Sequence, residues 1–474
     1  MGDRTVGLVW FRRALRLADN PALAAALAEN DVVVPVFILS PYDPWPVGAA
    51  SRAWLARSLV SLDASLREFG SSLVVREGAP FETLATLAAE CGATTVYADR
   101  RFEPDAAETE AGLKGNLSRT GLQLCTYNCT LLNPPNTRLS KDRSSFKVFT
   151  PYYRAALAAT SPEPPTPAPE RIPSPETMPE SLDITAVLAD AATGAPDLDH
   201  YFTPGEVGAQ DKASHFFAEN VADYVTLRDL PATYGTSRLS PHLAFGEISP
   251  RQLVADAQRT GGEGAEAFVR QLYWREFAYQ MLHHHPATYE NPLRPEFARF
   301  PWAFDPEGLE AWMTGQTGYP IVDAGMRELN ATGWMHNRVR MVVASFLTKD
   351  LLLPWQTGMH FFEEWLIDAD MANNVFGWQW IAGSGADAAP YFRIFNPVIQ
   401  GATYDRWGGY VREWVPELAA LPDKVLHRPW EAPDHVLADA GVRLGETYPR
   451  PIIDHQEARV RALAAYGRVK GSKA

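Results

Sequence analysis

The chain has 474 residues, 46% hydrophobic and 21% charged, with a formal net charge of −14 and a pI near 5.3. That length predicts more than one compact domain, and no run of eighteen apolar residues predicts a membrane span. The acidic total excludes a protein that coats its whole surface with nucleic acid, but not one with a local basic groove, because charges more than roughly 8–10 Å apart act almost independently.

The first 130 residues alternate short β-branched runs with amphipathic stretches. The runs are Val6–Phe11, Val32–Ile38, Ser72–Arg76, Thr94–Ala98 and Leu122–Tyr127; a helical pattern over Ser51–Phe69 stops at Gly70. Such alternation predicts an α/β fold with a doubly wound, Rossmann-like parallel sheet. No basic leader or cleavage signal precedes Val6, and Cys91, Cys125 and Cys129 suit neither a disulfide framework nor a four-ligand zinc site. A cytoplasmic protein without a metal is expected, and a monomer is assumed.

Residues 131–200 follow as a connector. Eight prolines from Pro162 to Pro179 leave no room there for a helix or a central strand, so an exposed linker is predicted. From 201 to 474 the strand signals fade. Apolar positions recur at three and four in Ala267–Leu282, Tyr319–Leu329 and Asn337–Leu352, which predicts an all-α domain. Of the 14 tryptophans, 11 lie between Trp274 and Trp430; this suits either core packing or a flat aromatic ligand.

Four stretches carry chemistry, each with a plainer alternative. Tyr234–Leu243 offers Thr236, Ser237 and Ser240 after a glycine, as helix caps or as phosphate contacts. Gln271 and Trp274 share a helix face, as core packing or as an amide and a stacking surface for a base. Asn337 and Met341 share another face, with Arg338 and Arg340 pointing elsewhere, for a carboxylate or a phosphate. His336 reads as a structural histidine. Asp368 and Asp370, ahead of Asn374, Trp378 and Trp380, suit either a metal or the N–H groups of a heterocycle. Gly383-Ser384-Gly385 lacks the strand–helix context of a dinucleotide fingerprint.

Collinear motifs run the length of the chain. They are Trp10–Arg13 with Leu15, Arg16, Asp19 and Asn20; Lys147–Tyr152; Gly235–Ser240; Trp274–Phe277; Thr317–Asp323; Gly333–Arg338; Asp368–Trp380; and Tyr391–Pro397. Together they resemble the photolyase/cryptochrome family. The resemblance implies an N-terminal antenna domain (1–130), a connector, and a helical domain (201–474) that binds FAD and the DNA lesion. It places Tyr224, Thr236, Ser237, Arg238, Leu239 and Ser240 on the adenine-phosphate side of FAD, and Gln271, Trp274, Arg275 and Asn337 against the cofactor. Asp368 and Asp370 face its polar atoms, Arg340 pairs with Asp368, and Asn374 sits opposite flavin N5. Trp378, Trp355 and Trp302 match the tryptophan chain that carries electrons to oxidised flavin. An antenna chromophore is implied too: methenyltetrahydrofolate, 8-hydroxy-deazaflavin or flavin.

Within the family, Asn337 and Met341 match enzymes that repair cyclobutane pyrimidine dimers in single- or double-stranded UV-damaged DNA, carbon–carbon lyases in which photoexcited reduced FAD lends an electron to the flipped-out dimer. Catalytic roles then fall to Gln271, Asn337, Met341 and Asn374. Trp274 and Trp380 wedge the dimer, and Arg228, Arg338 and Arg393 meet phosphate or the dimer rim. Three departures stand out. Gln271 occupies a position usually Glu in these enzymes and Gln in (6-4) photolyases. Ala14 replaces an aspartate, with an effect expected on local helix capping. Asp105-Ala106 stand where folate-binding relatives tend to have Asn-Glu. The alternatives are a blue-light cryptochrome, a (6-4) photolyase, which carries histidines at positions matching Asn337 and Met341, and an unrelated nucleotide-binding α/β module.

Overall fold

The β-branched runs form five strands: β1 (Val6–Phe11), β2 (Val32–Leu39), β3 (Val74–Glu77), β4 (Thr95–Asp99) and β5 (Gln123–Tyr127). They pair in parallel in the order β3-β2-β1-β4-β5, with Val6 opposite Val32 and Gly7 opposite Thr95. Both faces are covered, which is why β1 and β2 are nearly continuous apolar runs rather than alternating ones. The order reverses direction at β1 and β4, and Asp99 at the end of β4 accepts from the backbone N–H groups of Arg12 and Arg13 at 3.0 and 3.1 Å.

This computed structural model describes residues 4–41, 48–135, 137, 145–159, 163–189, 194–388 and 392–471. They pack as two units. One comprises Met1–Ala222, Ser237–His284 and Ile367–Asp370, and the other Asp223–Thr236, His285–Leu366 and Met371–Ala474. The packing units therefore run across the boundaries at 130 and 200 suggested by sequence pattern.

Over its described residues, 163–179, the proline-rich stretch of the first unit forms no helix, as expected, but it is not a free linker. Thr166 O accepts from Asp19 N and Pro173 O from Val33 N, both at 2.8 Å, and Ile172 N donates to Phe69 O at 2.8 Å. Ile172 is fully buried. Proline removes donors but leaves its carbonyl as an acceptor, so the segment is fastened along the α/β layers as a strap. Ala14 caps no helix: the next one, Pro21–Glu29, is capped by Asn20, whose Oδ1 accepts from Leu23 N at 3.2 Å.

Among its described residues the second unit has no strand, only helices, as the three-and-four periodicity predicts. One expected stretch is divided. Asn337–Leu352 becomes an α-helix over Asn337–Ser345 and a π-helical turn over Phe346–Asp350. Thr348 Oγ1 bonds back to Ala344 O at 2.7 Å, a competitor for the helical ladder, and Leu352 turns left-handed at φ +58°. The Thr317–Asp323 motif is structural. The Asp323 carboxylate accepts from Thr317 N (2.7 Å), Gly318 N (3.0 Å) and the Tyr448 hydroxyl (2.6 Å), fixing the turn into the Pro320–Thr332 helix. No helix among the described residues is long and apolar enough to cross a membrane.

Candidate active site

In the first unit the predicted residues gather on the Gly262–His284 helix. Gln271 is half-buried and its Nε2 donates to Ala267 O, one turn back, at 3.1 Å. Trp274 stacks face to face on Phe149, centroids 3.6 Å apart and planes 8° apart, and Tyr153 continues the column at 5.5 Å and 13°. One face of the indole is therefore backed by a rigid aromatic column. This gives the Lys147–Tyr152 motif a function that sequence reasoning missed.

Arg275 points into the protein. Its guanidinium donates to Thr130 O at 2.8 Å and Leu243 O at 3.4 Å, and lies over the Tyr279 ring at 5.1 Å. It ties three segments together, whatever it also does for a cofactor. Tyr279, which the sequence did not single out, donates to Asp370 Oδ2 at 2.5 Å. Burial, then the neighbouring Asp370 charge, push the phenol well above its ordinary range, so it stays a donor. Asp368 and Asp370 are both buried. Buried carboxylates of this kind suit the N–H and hydroxyl groups of a nucleotide.

The Ser237–Ser240 stretch does not cap its helix with a side chain. Ser237 Oγ accepts from Leu239 N at 3.4 Å, and the short Ser240–Ala244 helix begins after Leu239 with no side-chain cap. Side-chain capping of that helix, the plainer alternative, is therefore not what this stretch does. Arg238 holds a left-handed backbone, φ +49°, a conformation that costs a non-glycine residue on the order of 1 kcal/mol and concentrates at ligand clamps. Leu239 is buried, while Thr236, in the other unit, is half-buried.

In the second unit, Gly333–Met341 builds a short helix with a defined outer face. His336 is structural as expected: it is buried and its Nδ1 accepts from Arg338 N at 3.2 Å, capping the helix. Asn337 is exposed and its amide reaches Met341 Sδ at 4.0 Å, so the two side chains do share one face. Arg338 pairs with Asp229 at 3.0 Å and lies 4.2 Å over the Tyr404 ring; Arg340 Nε donates to Met335 O at 2.8 Å. Arg228 lies over buried Tyr224 at 5.4 Å, and exposed Arg393 over Phe395 at 5.7 Å.

The Met371–Ala382 helix carries Asn374, Trp378 and Trp380. Asn374 Nδ2 donates to Met359 O at 3.0 Å. That anchor turns Oδ1 the other way, as an acceptor suited to a heterocyclic N–H, which fits a flavin. Trp380 Nε1 donates to Asp387 O at 3.1 Å. Trp378 is buried against Phe362 (5.1 Å) and Trp312 (6.3 Å), and Gly358 makes room for it: a Cβ there would lie 2.0 Å from the indole. Trp355 is buried, and half-buried Trp302 is tilted on Phe300 at 4.3 Å. No ring contact among the described residues links Trp378 to Trp355 or Trp355 to Trp302; the indole that touches Trp378 is Trp312. Tyr391 lies outside the described residues.

The family model described as the FAD binding domain of DNA photolyase matches residues 268–468, and the DNA photolyase model matches 7–170. The chain is 44% identical to a deoxyribodipyrimidine photo-lyase of Agrobacterium fabrum (strain C58 / ATCC 33970) over 98% of both sequences. It belongs to the DNA photolyase/cryptochrome family. Arabidopsis thaliana cryptochrome-2 is 37% identical over 98% of this chain and 79% of its own length. A crystal structure of a bacterial class III photolyase from Agrobacterium tumefaciens superposes with a TM-score of 0.96, at 42% identity, covering 100% of this chain and 99% of that one. This photolyase-family chain thus has the family's FAD-binding domain, and the flavin is its expected cofactor.

Proposed function

We propose that the chain repairs cyclobutane pyrimidine dimers in UV-damaged DNA under light, as a deoxyribodipyrimidine photo-lyase. The observation that carries this reading is the outer face of the Asn337–Ser345 helix: an exposed Asn337 beside Met341, with no histidine, on a chain of this family. An amide and a thioether bond and pack against a neutral pyrimidine pair without titrating in the physiological range.

The chain's own residues bind and orient. Trp274, backed by Phe149, presents one flat face, and stacking of this kind contributes roughly 1–3 kcal/mol per base. Trp380 provides the second aromatic surface. A dimer is already poorly stacked, so extruding it costs less than the few kcal/mol of a normal base. Asp368, Asp370, Tyr224 and the residues from Thr236 to Ser240, with Arg340, hold the cofactor. Asn374 offers Oδ1 to flavin N5. Bound FAD, reduced and photoexcited, supplies the electron that opens the cyclobutane ring. Trp378, Trp355 and Trp302 serve its photoreduction. An antenna chromophore in residues 1–130 completes the reading, at the β1/β4 switch point where open α/β sheets bind ligands.

A second reading, a blue-light cryptochrome, is favoured by Gln271, which supplies neither a proton nor a negative charge to an intermediate. Purified protein, reduced under blue light, is given DNA with either a cyclobutane dimer or a (6-4) lesion, and restored bases are counted. Repair of the cyclobutane dimer is expected. Repair of the (6-4) lesion alone, or of neither, overturns the proposal.

A further inference from the structure

One surface feature of the second unit lies outside the collinear motifs of the chain. Trp407 is 70% exposed, and the Arg406 guanidinium lies 4.9 Å over its ring. The two residues form the tip of a tight turn, closed by Gly408 N donating to Asp405 O at 2.8 Å.

The turn is rigid. Buried Asp405 accepts from Tyr410 N (3.0 Å) and Val411 N (2.9 Å), and its carbonyl meets His427 Nε2 at 2.9 Å. Arg412 donates to Trp407 O and pairs with Asp423 at 2.8 Å. Gly408 is left-handed at φ +67°, and a Cβ there would lie 2.0 Å from Leu426. Arg412 has a carboxylate partner; Arg406 has no ion pair among the described residues. A fixed backbone thus presents a cation and an indole outward together, at little ordering cost on binding.

The neighbourhood indicates the partner. Trp407 follows Tyr404, the ring on which Arg338 rests at 4.2 Å, and Arg338 adjoins Asn337 on the lesion helix. Three residues of chain reach at most about 10 Å, on the order of three base-pair steps of ~3.4 Å. A phosphate-seeking arginine beside an aromatic wedge is the combination used against nucleic-acid backbone and groove. A second copy of this chain is a poorer occupant: one indole falls far short of the roughly 800 Å² per partner of a stable interface.

We propose that the Arg406-Trp407 turn grips the duplex that flanks the lesion, a few base pairs from the extruded dimer. The inference rests on the repair reading above and extends it from the lesion to the flanking DNA.

The test uses the full-length FAD-loaded protein with two probes, a duplex of about twenty base pairs with a central thymine dimer and a single strand of about five nucleotides carrying the same dimer, too short to reach the turn. Fluorescence anisotropy gives both affinities. Trp407→Ala is expected to lower the duplex-to-pentamer affinity ratio on the order of tenfold. Arg406→Ala is expected to take about one unit from the salt slope of duplex binding and leave that of the pentamer in place. An unchanged ratio with a wild-type salt slope, or a Trp407→Ala protein that only shifts from dimer to monomer in sedimentation, overturns the inference alone. Wild-type protein that binds neither probe removes the repair reading and this one with it.

Discussion

Glu276 shows how a single burial sets a pH dependence. It lies next to Arg275 on the Gly262–His284 helix and accepts from Asn133 N at 2.8 Å, while its Oε1 accepts no hydrogen bond among the described residues and faces only the Arg275 guanidinium at 3.7 Å. Burial pushes it up to about 7, with Arg275 and the backbone donors opposing. The sign follows from proton binding: between about 4.5 and 7 the folded chain holds a proton that the unfolded chain releases, so this residue's contribution to stability falls as pH rises through that window, by up to about 3 kcal/mol. Glu276→Gln keeps an acceptor for Asn133 and removes the titration. Its melting temperature is expected to exceed wild type at pH 8 and to match it near pH 5. A gain of equal size at both pH values would remove the burial argument. A second residue-level expectation concerns Phe149. Phe149→Leu leaves Trp274 without its parallel backing and is expected to weaken binding of dimer-containing DNA severalfold while the bound flavin's absorbance is retained. Loss of the flavin as well would place Phe149 in the general core instead.

Helices set what single residues can do, and here sequence reading was strongest for elements and weakest for neighbours. The five strands were legible because β-branched runs bounded by turns have few other uses, and each observed strand starts or ends within two residues of its run. Gln271 with Trp274, and Asn337 with Met341, were legible as shared faces because helical spacing alone places them. Phe149 behind Trp274 and Trp312 beside Trp378 were not: each contact closes over a long stretch of chain, and only packing brings the rings together. The break at Phe346 was hidden too, since a π-helical turn keeps the apolar spacing. Gly358 carries the packing argument furthest. It lies on the Trp355–Trp365 helix and lets that helix meet the Met371–Ala382 helix, with Trp378 filling the space a Cβ would need. Gly358→Ala is expected to destabilise by about 1–3 kcal/mol through overpacking and to slow flavin photoreduction as the indole shifts. Unchanged melting temperature and photoreduction would show that the two helices separate freely. Trp355→Phe is expected to slow photoreduction with FAD still bound, and the same rate in Trp355→Phe and wild type would favour the contact that the rings show, from Trp378 to Trp312.

At the scale of the whole molecule, a net charge of −14 has to coexist with binding to a polyanion. The family was legible because its motifs are collinear over the whole chain; the electrostatics were not, since a total says nothing of where charges stand. Local pairing decides them. Arg338, on the Asn337–Ser345 helix, has a guanidinium shared between Asp229 at 3.0 Å and the Tyr404 ring at 4.2 Å. In the repair reading, Asp229 neutralises a cation that a DNA phosphate would otherwise meet. Removing the carboxylate need not release the arginine, because the ring still holds it in place. Asp229→Asn is therefore expected to change stability by no more than about 1 kcal/mol, as for other partly exposed ion pairs. Affinity for dimer-containing DNA should rise severalfold at low salt, and the slope of log affinity against log salt should steepen by up to about one unit, since one more phosphate is neutralised. The two slopes are measured by titrating salt at fixed temperature with reduced, FAD-loaded protein. A weaker binder with an unchanged slope would mean that Asp229 positions Arg338 rather than competing for it, and that Arg338 braces the helix without touching phosphate.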